Sequence, residues 1–210
     1  LTQVGIPMVG MNTHHEGPGF GLAAVPGREV EARDQIDKAF AYATTMGCPN
    51  VSLMAGRTGR APGSKNAYRS NLAYAAEGAS AHGCTLLLEP ISTNAVDGYH
   101  LNIVGQAIDA IKSTGADEVK VMIDCFHTHD MEGDVLTAVR TLGDRLGHVQ
   151  IAAYPDRGEP DAGGLDYTKL LPAIVESGYE GFFGAEYLPR GDLLAGLTWM
   201  SPWRQRRERS

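Results

Sequence analysis

VKVMIDCFHTHD, residues 119–130, is the stretch on which the fold turns. Val119 to Ile123 is short, apolar and rich in β-branched side chains, with Lys120 as its one polar interruption. Such a run suits a strand of a parallel sheet covered on both faces. It stops on Asp124, and His127 follows three residues later. An ionised carboxylate beside a core is costly unless it is paired, hydrogen-bonded or bound to a metal. One such residue is an ordinary turn aspartate; the same ending on neighbouring strands is a pattern.

Outward from this stretch, short apolar runs alternate with longer helical patterns. The predicted strands are 7–11, 50–55, 85–88, 119–123, 149–152 and 181–185. The predicted helices are 28–47, 65–82, 102–113, 130–146, 167–177 and a short last one over 191–200. In the first helix Val30, Ile36, Ala39, Phe40 and Ala43 form the apolar side, and Gly47 is the stop. Six βα units in a row imply a parallel sheet with right-handed crossovers. Two closures fit: a (β/α) barrel, with its site on the loops after the strands, or an open doubly wound sheet. The nucleotide fingerprints of the open sheet are absent, with no GxGxxG after the first strand and no GxxxxGK[ST]. The GRTGRAPGS loop, 56–64, lacks that order and reads as a flexible active-site or surface loop.

The strand ends now answer the question that Asp124 raises. The third strand ends on Glu89, the fourth on Asp124 and the sixth on Glu186, and the fifth carries Gln150. Each is roughly one βα repeat from the next. In a barrel these side chains meet at one mouth, where three carboxylates repel one another unless a cation sits among them. Oxygen donors of this kind suit Mg2+ or Mn2+.

Composition sets the outer limits. The 210 residues are 43% hydrophobic and 20% charged, which fits one globular domain over 1–210. The formal net charge of −7 argues against a nucleic-acid surface. Three cysteines, Cys48, Cys84 and Cys125, form no CxxC pair and fit a reducing, cytoplasmic setting better than a disulfide framework. No apolar run is long enough to span a membrane, so no membrane partner is expected.

The chain resembles the hydroxypyruvate isomerase group of the xylose isomerase-like TIM barrels. The similar stretches are GLAAVPGRE (21–29), MGCPNVSLMAG, LLLEPIS, DGYHLN, IDCFHTHDMEGD, HVQIAAYPDRGEP, LDYTKLL, GYEGFFGAEYLP and AGLTW. The resemblance implies that Glu89, Asp124, Gln150 and Glu186 bind a divalent metal, Mg2+ or Mn2+. It implies that Glu89 and Glu186 are the proton-transfer pair, and that His127 and Arg157 contact substrate. The implied reaction converts hydroxypyruvate to tartronate semialdehyde (2-hydroxy-3-oxopropanoate) through an enediolate. The alternatives are a ketose 3-epimerase or other sugar isomerase, or an inactive barrel fragment that only binds ligand. Arg157 has the planar fork that holds a carboxylate by two hydrogen bonds; the alternative is a surface arginine paired with Asp156 or Glu159. His129 reads as a helix-entry residue, Tyr154 and Trp203 as packing, and His14 and His15 as loop residues with no assigned role.

Three departures from the family pattern stand out. The family's barrel has eight strands, and the chain shows six units, so it reads as N-terminally incomplete, with two open edges and a possible association between copies. The loop PDRGEP has Asp156 and Gly158 where the family often carries a histidine beside the arginine. DAGGLDY has Gly164 where a glutamate is common.

Overall fold

A computed structural model describes residues 5–13 and 19–204. His14 and His15 lie outside the described residues. The strands are β1 (Met11–Asn12), β2 (Asn50–Ser52), β3 (Thr85–Leu88), β4 (Val119–Asp124), β5 (Leu146–Ile151) and β6 (Phe183–Ala185). The helices are α1 (Glu29–Met46), α2 (Ser64–His82), α3 (Val104–Thr114), α4 (Cys125–Glu132), α5 (Val135–Leu142), α6 (Tyr167–Glu176), α7 (Leu193–Gly196) and α8 (Ser201–Arg204). All six strands run parallel and lie in chain order, β1 to β6. The result is a curled six-strand arc of a TIM-type barrel with its helices on the convex side.

The division of each strand follows from its two-residue side-chain period. Leu86, Leu88, Val119, Val121, Ile123, Val149 and Ile151 are buried toward the helices. The opposite parity faces the concave side, where Asp124 and Gln150 are register partners. The helices meet the sheet with their apolar stripe. In α1 that stripe is Ala32, Ile36, Ala39, Phe40 and Ala43. Val30 is not part of it, being 84% exposed in the first turn.

The helix-to-strand joints repeat. α1, α2 and α3 each end at a glycine, Gly47, Gly83 and Gly115, with φ of 62°, 64° and 66°. That left-handed conformation costs glycine little and lets the chain turn back under the sheet.

Several predicted bounds shift: β2 stops at Ser52, β5 begins at Leu146 and so includes His148, and the last helix is the short α7 and α8 joined by a 3-10 turn. Two further elements change more. The fourth helix, expected over 130–146, is two helices. Asp124 accepts hydrogen bonds from the backbone N–H of Phe126 and His127, so it caps α4 directly at the end of β4. Gly133 then stops α4, and Asp134 caps α5 by accepting from Thr137 N at 3.0 Å. His129 therefore lies inside α4 rather than at a helix entry. The first strand pairs only at Met11–Asn12, not across 7–11. Among the described residues, no helix is long and apolar enough to cross a membrane.

Candidate active site at the strand ends

Glu89 and Glu186, just past β3 and β6, line one cavity of about 350 Å3 together with Asn12, Met54, His127 and Arg157; Asp124, at the end of β4, does not line it and is linked to it through Arg157. Asp124 is 1% exposed and Glu89 6%. Potential ligand atoms of Glu89, Asp124 and His127 all lie within 4.8 Å of one another. Glu186 joins from the rim, its side chain half exposed.

Arg157 ties the group together. Its Nη2 donates to Asp124 Oδ2 at 3.1 Å and to Glu186 Oε2 at 2.9 Å. Its Nη1 lies 3.1 Å from His127 Nε2, and its guanidinium carbon lies 5.2 Å from the centre of the Phe126 ring. The alternative of a surface arginine paired with Asp156 or Glu159 falls away, since both acids pair with Arg190. The Arg157 backbone is left-handed, φ 55°, an uncommon conformation for a side-chain-bearing residue.

The electrostatics follow from crowding. Burial pushes the Glu89 carboxyl well above its ordinary range; the charges of Asp124 and Glu186 add to this and Arg157 opposes it. Burial also raises Asp124, against Arg157 and the two N–H donors of α4. Glu186 is raised as well, by desolvation first; its half-exposed side chain makes that push weaker than at Glu89. Burial and the neighbouring Arg157 lower His127 to about 3, so it is neutral at physiological pH. Its Nε2 then accepts from Arg157, which places the imidazole proton on Nδ1.

These residues fit a divalent cation. The donors are hard oxygens, Arg157 bridges Asp124 and Glu186 but makes no hydrogen bond to the buried Glu89, and the buried Gln150 Oε1 has no hydrogen-bond partner among the described residues.

Two residues around the mouth were missed by sequence reasoning. Asp130 accepts from Asn94 Nδ2 at 3.1 Å and from the Tyr154 hydroxyl at 3.0 Å, and Ser92 also bonds to it. It thereby joins the loops after β3, β4 and β5, and Tyr154 is a hydrogen-bonding residue as well as a packing one. The other is Arg190, beyond β6. Asp130 could have been found from its place in CFHTHD; Arg190 has no comparable signal.

A curled parallel sheet with its acids gathered past the strand ends has the layout of a (β/α) barrel enzyme. The family model described as xylose isomerase-like TIM barrel matches residues 1–203, and the chain belongs to that family. Within it, the chain groups with the hydroxypyruvate and 2-oxo-tetronate isomerases. It is 43% identical to the 2-oxo-tetronate isomerase of Cupriavidus necator, over 87% of this chain and 72% of that one. It is 36% identical to the hydroxypyruvate isomerase of Escherichia coli, over 88% of this chain and 72% of that one. A solved structure from Brucella melitensis, described as an AP endonuclease of family 2, matches with a TM-score of 0.90 at 34% identity, covering 96% of this chain and 80% of that chain.

Proposed function

We propose that this chain isomerises small hydroxy-keto acids, with hydroxypyruvate to tartronate semialdehyde as the test reaction. The observation that carries the reading is Glu89 and Glu186 lining one small cavity, with Asp124 gathered close to Glu89 and held by Arg157, and all three carboxyls raised in proton affinity. Moving a proton between adjacent carbons needs groups that take and return it near neutral pH, and raised carboxylates meet that need. Glu89 and Glu186 follow β3 and β6, with β4 and β5 between them, so they flank a bound substrate from two sides. They are the proton-transfer pair of this proposal, with an enediolate between the two transfers. Arg157 holds the substrate carboxylate through its planar fork. When Arg157 turns its Nη1 to the substrate carboxylate, the neutral His127 Nε2 is released to accept from a substrate hydroxyl. Glu89, Asp124, Gln150 and Glu186 would hold Mg2+ or Mn2+, which when bound polarises the carbonyl as a Lewis acid.

A ketose 3-epimerase reading shares most of this site. Relatives of that kind tend to carry a histidine where Gln150 stands, which favours the hydroxy-acid reading. The endonuclease description of the Brucella melitensis structure has less support here. A hydrolytic site on this fold calls for a histidine-rich zinc cluster and a cationic face; the described group holds one histidine, and the chain carries −7. A small-molecule substrate, a cytoplasmic setting and the absence of nucleic-acid and membrane partners complete the proposal, together with association between copies at the open edges of the sheet.

The test is isomerisation of hydroxypyruvate with Mg2+ or Mn2+, wild type against Glu186→Gln. Metal-dependent turnover that falls about a hundredfold or more in the variant is the expected result. Metal binding without turnover would redirect the search to ketoses. Neither binding nor turnover would leave the inactive ligand-binding barrel.

A further inference from the structure

The loop that presents Arg157 is held from outside the cavity by a second arginine. Arg190 Nε donates to Asp156 Oδ2 at 2.8 Å and Nη2 to Asp156 Oδ1 at 3.1 Å, a two-pronged pair. Its Nη1 donates to Glu159 Oε2 at 3.0 Å and to the Glu159 carbonyl at 3.2 Å, and its backbone N–H reaches the same carboxylate at 3.1 Å. Arg190 therefore grips the residue before Arg157 and the residue two beyond it, and Glu159 is buried. A third link closes the loop from the same side: Leu188 N donates to the Arg157 carbonyl at 2.8 Å.

Gly158 makes room for this grip. A Cβ at that position would lie 2.5 Å from Arg190 Nε and 2.6 Å from Nη2, closer than real contacts allow. Asp156 and Gly158, the two departures that flank Arg157, are thus partners of one guanidinium.

We propose that Arg190 is a positioning residue. Through Asp156, Glu159 and the space left by Gly158 it holds the left-handed Arg157 backbone in the conformation that turns the Arg157 side chain into the mouth. Without the grip, the loop relaxes toward ordinary backbone angles and the Arg157 fork leaves the place where a substrate carboxylate would meet it. The inference rests on the reading of Arg157 as the substrate-carboxylate contact.

The experiment compares Arg190→Met, Gly158→Ala and the double variant, each with Mn2+ present. Hydrogen exchange by mass spectrometry reads the grip without turnover. Peptides covering 153–161 and 188–190 should exchange about tenfold faster in either single variant, with β3 and β4 unchanged. Steady-state kinetics read the positioning. KM for hydroxypyruvate should rise about tenfold or more, with kcat within about threefold, as for loss of an oriented binding contact. Because an alanine at 158 acts by displacing Arg190, the double variant should be no worse than Arg190→Met alone. Unchanged exchange in Arg190→Met overturns the proposal. So does faster exchange with unchanged KM, which would make Arg190 structural only, and so does a double variant whose losses multiply. A wild type that does not turn over hydroxypyruvate defeats the substrate reading, and the exchange data then decide the grip by themselves.

Discussion

Glu89 is a buried carboxylate at the end of β3, with two other acids as neighbours. Its proton affinity is raised in the fold, so the folded chain keeps the proton at a pH where the unfolded chain has lost it. The sign follows: stability contributed by this group is greatest below the ordinary glutamate range and falls as pH rises through the window above it. With a chelator present, Glu89→Gln should flatten that fall and stabilise the protein at pH 7 by about 1 kcal/mol or more, because folding no longer has to desolvate or re-protonate the carboxylate. Melting temperature against pH for both proteins checks this. A variant less stable than wild type at every pH would count against it. The same substitution should shrink any rise in melting temperature on adding Mn2+, since a neutral amide oxygen binds the ion more weakly than a carboxylate.

At the scale of elements, Glu132 illustrates how one helix serves the next. α3 has Ile103 at its N-cap, with no side-chain oxygen to offer, and Glu132 from the end of α4 accepts from Val104 N at 2.9 Å instead. Glu132→Ala should lower stability by about 1 kcal/mol, the usual cost of an uncapped helix, and leave the cavity untouched; urea unfolding measures it. This borrowed cap was not legible in the sequence, because nothing in a linear reading links residues on two separate helices. What was legible had local causes. The strand that stops at Asp124, the helices that stop at Gly47 and Gly83, and the acids at 89 and 186 all declare themselves within a few neighbours. The break between α4 and α5 was misread although its signals, Gly133 and Asp134, are local too, because the apolar spacing continues across it. The alliances of Arg157 and Arg190 are long-range, set by how loops after different strands come together.

Across the whole molecule, the arc has a middle and two ends. β2, β3, β4 and β5 have a hydrogen-bonded strand on each side, whereas β1 and β6 have one each. Phe182 and Leu188, next to β6 in the chain, stand exposed. Native-state hydrogen exchange should therefore show its slowest amides in β2 to β5 and faster ones in β1 and β6, by about tenfold or more. Uniform protection across all six strands would mean that both ends are covered in solution. The chain spans 72% of the length of the Cupriavidus necator and Escherichia coli relatives.

The guanidinium that bridges Asp124 and Glu186 has a kinetic corollary. A site that needs a foreign ion to quiet its acids must wait for that ion before its walls can close. Here the chain brings a positive charge of its own, on the loop after β5, so the walls can close first. Refolding from urea should then proceed at the same rate with chelator as with Mn2+, and loading should follow as a separate, slower event.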